Sequence, residues 1–111
     1  MHLSDFSQAV SLKHLCGPTA DDFDGVYVGD LLSRAMSHVQ TGNLWITIMN
    51  NINVVAVASL TEAAAVILAE NGSLTPDVFE AANEKGIAIY SSCESAYDLC
   101  VSIAKSADEH P

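Results

Sequence analysis

The stretch from Leu44 to Ser92 admits few folds, because short apolar runs alternate there with helix-length segments. Trp45–Met49, Ala63–Leu68 and Ile87–Tyr90 read as strands. Between them, Asn53–Glu62 and Thr75–Lys85 read as helices. Asn51 or Asn53 can cap the first helix. Thr75 and Pro76 supply the N-cap and first position of the second, Asp77 sits favourably against its dipole, and Gly86 ends it. Two successive strand–helix–strand units imply a parallel sheet, since parallel neighbours need a crossover of about a dozen residues, and each crossover should be right-handed. The Asn53–Glu62 helix is nearly all apolar (Val54, Val55, Ala56, Val57, Ala58, Leu60), which predicts burial on more than one side. Its alanines permit close packing on the sheet or against a second subunit.

The flanking segments extend this frame. Leu3–Val10 suits a short helix capped by Ser4, and Leu12–Cys16 a strand whose alternation places Leu12, His14 and Cys16 on one face, ended by Gly17-Pro18. Thr19–Asp24 is an acidic loop. It lacks the calcium-binding spacing of an EF-hand, since the twelfth position counted from Asp21 is Leu32. Val26–Val28 forms a further strand, after which Asp30 is placed to cap a helix with Leu32, Ala35, Met36 and Val39 on one stripe and His38 at its boundary. Thr41-Gly42-Asn43 terminates that helix. Ser91 to Glu94 matches a capping box for a last helix with Ala96, Cys100, Ile103 and Ala107 on one face. The expectation is a single α/β domain over residues 1–111, with a mostly parallel central sheet of about four to five strands, a core from about 3 to 105 and a polar tail over 106–111.

Charge narrows the partners. Fourteen acidic residues face only Lys13, Arg34, Lys85 and Lys105, a formal net charge of -10. Nucleic acid and anionic membranes are excluded, because both demand clustered basic residues; the acidic surface reads as solubilising. Cys16, Cys93 and Cys100 form no CxxC pair, which argues against a disulfide framework or a zinc site and for a reducing, cytoplasmic setting. No secretory signal is visible at Met1–Asp5, and the apolar stretch Ile52–Leu60 is far shorter than the roughly 20 residues of a membrane span.

Ligands of open parallel sheets gather outside the carboxyl ends of the strands, so the turns there hold the candidate binding groups: Asp30, Asn50, Asn51, Ser91 and Ser92, beside Glu70-Asn71-Gly72. No catalytic set emerges. Cys93 has no base tied to it by any motif, the serines lack a G-x-S-x-G elbow, and Asp30 has no carboxylate partner. There is no G-x-x-x-x-G-K-[ST] phosphate loop, which excludes a kinase of that type. Backbone amides at a helix N-terminus can still take a nucleotide phosphate, with Arg34 as helper. Neither a metal nor a cofactor is assigned.

The runs Gly25–Ser33, Leu44–Ile48, Asn53–Ala58 and Ala65–Glu70, continued by Ala81–Ile89 and the Ser92–Ala104 helix, resemble the small stand-alone DRTGG-domain proteins. The match rests on the order and spacing of segments from about Leu3 to Lys105. Where the name-giving Asp-Arg-Thr would fall, this chain has Asn50-Asn51-Ile52-Asn53. The resemblance implies an α/β domain like the N-terminal domain of HPr kinase/phosphorylase and like the domain found beside CBS domains in regulated pyrophosphatases. It also implies a non-catalytic regulatory or ligand-sensing role, with a small-molecule or nucleotide ligand, exercised as a homodimer. The alternative it carries is an assembly partner of a larger redox or metabolic enzyme such as an iron hydrogenase, with a small enzyme the least favoured reading.

Overall fold

Strands that are apolar at every position need cover on both faces, and here both covers come from the same short chain. The computed structural model describes residues 1–109. A 3-10 turn at Leu3–Asp5 leads to β1 (Lys13–Cys16) and β2 (Val26–Val28). Then follow α1 (Leu32–His38), β3 (Leu44–Thr47), α2 (Ile52–Thr61), β4 (Ala65–Leu68), α3 (Pro76–Lys85), β5 (Ile89–Ser91) and α4 (Ala96–Glu109). The five strands lie in the order β1-β5-β4-β3-β2. β2 to β5 are parallel, and β1 joins β5 antiparallel. The expected mostly parallel α/β architecture is therefore the one observed.

From β2 to β5 the chain steps one strand at a time in one direction. Crossovers of one hand then put their helices on one face, and the packing agrees. Ala35 and Val39, Val54, Val55, Val57 and Ala58, and Val78 and Ala82 pack with Trp45, Val66, Leu68 and Ile89. The opposite face is covered by Leu3, Phe6 and Val10 together with Leu99 and Ile103 of α4, over Leu44, Ile46, Ala65, Ile67 and Tyr90. α2 is the middle helix of its layer. That accounts for its apolar composition, although Ile52, Ala56 and Leu60 remain exposed.

Several boundaries differ from the expectation, each for a local reason. β3 stops at Thr47 because the amide of Ile48 donates to Asp30 Oδ1 and that of Met49 to Thr47 Oγ1. Asp30 consequently does not cap α1, whose N-cap position is Leu31 with no side-chain cap. In α1, Ala35 and Val39 are buried but Met36 is exposed, and the helix gives way to extended backbone at Val39, before Gly42. Ser4 caps no helix; its amide is taken by Asp21 Oδ1, and the segment makes only a short 3-10 turn. The alternation expected in β1 is broken by an irregularity between His14 and Cys16. His14 lies edge-on to Tyr90, whereas Cys16 packs into the α1–α3 core. One extra residue in a strand shifts the following side chain to the other face.

The last helix begins later than expected. Ser91 still pairs in β5, so it cannot cap; Ser95 does so, its Oγ accepting from the amide of Asp98. The buried stripe of α4 is Leu99, Ile103 and Ser106, rotated from the expected Ala96–Cys100–Ile103–Ala107 face. Ser106–Glu109, read from sequence as polar tail, is helical, while His110 and Pro111 lie outside the described residues. Other expectations hold as written: Asn51 Oδ1 accepts from the Asn53 amide at the start of α2, Pro76 opens α3, and Gly86 closes it with φ +69°. No helix among the described residues is long and apolar enough to cross a membrane.

Candidate functional site

The sheet order separates the candidate residues along the carboxyl edge. Asp30 follows β2 and Ser91 ends β5, three strand spacings apart, or about 14 Å at about 4.8 Å each. β2 to β5 step in one direction, so no reversal of strand order opens a crevice between parallel neighbours. The edge thus divides into two regions.

At the β2–β3 end, Asp30 is exposed but tied to the sheet through one oxygen: its Oδ1 accepts from Thr47 Oγ1 at 2.8 Å and from the Ile48 amide at 2.9 Å. Around it Val28, Leu31, Ile48 and Ile52 are exposed. Asn51 is occupied as the cap of α2. Asn50 reaches the neighbouring loop, its Nδ2 donating to Ser73 O at 2.6 Å. It positions that loop.

At the β4–β5 end lies a cleft of about 320 Å³ between β1, β5 and the start of α3, lined by Lys13, Leu15, Asn71, Ser73, Phe79 and Ser91 among others. Antiparallel pairing sets Lys13 directly opposite Ser91, so the two side chains share one face of the sheet. The 70–72 turn is pinned beside them: the Glu70 amide donates to Glu94 O and the Asn71 amide to Ser92 O. Glu70 and Asn71 both take left-handed conformations, φ +56° and +61°. Gly72 follows without a side chain because a Cβ there would stand 2.7 Å from Leu68 Cβ. Ser91 is only 8% exposed, and no hydrogen bond of its hydroxyl occurs among the described residues. Ser92 is different. Its Oγ donates to Val10 O at 2.5 Å and accepts from the Glu94 amide, and thereby ties the N-terminal segment to the sheet.

The helix N-termini are less available to an anion than their dipoles suggest. Asn51 occupies that of α2. Asp77 occupies that of α3, its carboxyl held below the usual carboxylate range by the Thr75 hydroxyl and by the Asp77 and Val78 amides. Cys93 is exposed, and the thiols of Cys16 and Cys100 are pushed up by burial. At the far end of the molecule His2 Nδ1 lies 3.2 Å from Asp21 and 2.6 Å from Asp22. All three are exposed, and they staple the N-terminus to the acidic loop.

Of the residues singled out from sequence, Ser91 faces the cleft, Asn50 supports its rim, and Asp30, Asn51 and Ser92 make structural hydrogen bonds. Asn71 comes from the Glu70-Asn71-Gly72 turn that the sequence also points to, whereas Lys13, Ser73 and Phe79 were not among the residues singled out. Of these three, Lys13 left a signal, as the one Lys or Arg in a strand among the described residues.

No family model matches the sequence, and no curated protein matches it. Among solved structures, the chain is similar to the CBS and DRTGG domains of the regulatory region of Clostridium perfringens pyrophosphatase, complexed with its activator diadenosine tetraphosphate. The TM-score is 0.73 at 12% identity, over 95% of this chain and 46% of that one. This chain therefore spans less than half of its structural neighbour. Its fold, a mostly parallel five-stranded sheet between two helical covers, is DRTGG-like.

Proposed function

We propose that the protein is a non-catalytic regulatory domain that senses a small ligand, with nucleotides the first class to try, and acts as a homodimer. The observation that supports this reading is the likeness of 95% of the chain to part of a regulatory region captured with a nucleotide activator. The site chemistry is consistent with it. The cleft offers an ammonium group, a hydroxyl and an aromatic ring, a set suited to holding a molecule. Self-association is supported by exposed Val28, Leu31, Ile48 and Ile52 around the β2–β3 end.

Differential scanning fluorimetry with adenine nucleotides, diadenosine tetraphosphate included, tests sensing: a concentration-dependent rise in Tm is expected, and none with any of them counts against it. Sedimentation equilibrium at micromolar concentration should find a dimer; a strict monomer overturns that part. A second reading, docking onto a larger redox or metabolic enzyme such as an iron hydrogenase, draws on the net charge of -10. Such docking to a basic partner should weaken steeply with salt.

A further inference from the structure

We infer that the cleft between β1, β5 and the start of α3 is the ligand site, and that it takes a small molecule with one anionic head group, a phosphate monoester or a carboxylate, on an apolar or aromatic body. This rests on the ligand-sensing reading above and narrows its ligand class. Three observations carry it.

The first is charge. The chain has 14 acidic residues and four basic ones, yet the cleft lining contains Lys13 and no carboxylate. No ion pair among the described residues engages Lys13, whose ammonium is thus free for a ligand. The second is Ser91. It is more than nine-tenths buried as a residue and its hydroxyl makes no hydrogen bond among the described residues, yet that oxygen is not sealed away; what it meets is the cleft opposite Lys13. A head group can accept from both Lys13 and Ser91, and Asn71 and Ser73 bring further donors on the adjoining turn. The third is the apolar part: Leu15, Leu74 and the half-exposed ring of Phe79 line the same space and suit a flat or aliphatic body.

Size and charge together set the limit. About 320 Å³ lies at the low end of small-molecule sites, and one lysine in a field of net charge -10 balances one anionic group. A polyphosphate dinucleotide exceeds both.

Amide-shift NMR titrations of the full chain with AMP, phenyl phosphate and phenylacetate, against neutral adenosine and benzyl alcohol, test the assignment. The anionic probes should shift residues 71–74 and 91, with the neutral analogues weaker by about tenfold or more, the worth of a charge-assisted hydrogen bond. The phosphate and carboxylate arms report which head group is preferred. K13M should weaken the anionic probes by about tenfold and S91A by several-fold, while K13R retains binding and K105M changes nothing. Lys13 is exposed on an edge strand, so the K13M and K13R variants keep the fold, and the same spectra verify the fold of S91A. Anionic probes that leave residues 71–74 and 91 unshifted, or bind K13M as tightly as wild type, overturn the site. Diadenosine tetraphosphate separates this failure from the broader one. If it shifts residues elsewhere, sensing stands and this site falls; if it and every other probe shift nothing, both fall.

Discussion

Ser91 and Ser92 are neighbours, both buried, and they do opposite things. Ser92 commits its hydroxyl to Val10 O and the Glu94 amide, whereas the Ser91 hydroxyl has no partner among the described residues. Removing the first should destabilise by about 1–3 kcal/mol, the cost of leaving buried groups unpaired. Removing the second should stay within about 0.5 kcal/mol. Urea melts of S92A and S91A check this; equal losses would mean that Ser91 is structural after all. Nothing local in Ser91-Ser92-Cys93-Glu94 distinguishes the two, because the division depends on Val10, 82 positions away in sequence. Asp30 shows the same limit: as a cap it reads well, but Thr47 and Ile48, brought alongside by sheet pairing, claim its carboxylate. Asp21 adds a pH dependence. The Ser4 amide holds its carboxyl below the usual range, with His2 a lesser cause. A depressed folded-state pKa contributes stability that is present above the ordinary aspartate range and lost as pH falls through the depressed value. Protection of the Leu3 and Ser4 amides, taken relative to unfolded-chain exchange at the same pH, should therefore fall on acidification through that window in wild type, and D21N should lack this component. An unchanged profile in D21N would remove Asp21 from the account.

At the level of elements, every long helix and each strand was legible from periodicity and turn chemistry, and most errors are at ends. The reason is visible at α4. A capping box at Ser91–Glu94 is a good local signal, but β5 extends through Ser91 and sheet pairing prevails, leaving the cap to Ser95. S95A should then cost about 1 kcal/mol in thermal or urea unfolding, the usual loss for a serine cap, and E94A much less; the reverse order would restore the sequence reading. The irregularity in β1 was not legible either, because alternation continues smoothly through His14, Leu15 and Cys16. Gly17, which ends that strand, carries a tighter constraint. At φ +76° an added Cβ would stand 1.9 Å from Ile87 O, inside any tolerable contact. G17A should destabilise by about 2 kcal/mol or more, from the combined cost of left-handed backbone and overpacking. A neutral melt would show that β1 and the end of α3 can move apart.

For the whole molecule, parallel topology followed from two crossover units, but strand order did not, and strand order decides which turns can cooperate. A singly wound run from β2 to β5 sends Asp30 and Ser91 to opposite ends of one edge and leaves the cleft at the junction with antiparallel β1. Lys13 was missed because its partner, Ser91, is joined to it only by that junction. The same layout gives the opposite end of the edge an apolar rim: Leu31 is 61% and Ile48 53% exposed, beside the exposed Asp30, one carboxylate oxygen of which accepts from Thr47 and Ile48. Two copies meeting there bury apolar surface against the repulsion of two chains of net charge -10 each. Salt screens that repulsion, over a Debye length of about 8 Å at physiological strength, and does not weaken apolar burial. A homodimer formed by this rim should accordingly tighten as salt is raised, and the double variant L31E/I48E should shift the molecule toward monomer. An acidic face docking on a basic enzyme has the opposite sign, since the same screening removes its attraction. Sedimentation equilibrium across a salt series separates the two modes: self-association that weakens with salt, or that survives L31E/I48E, places the contact on charged surface instead of this rim.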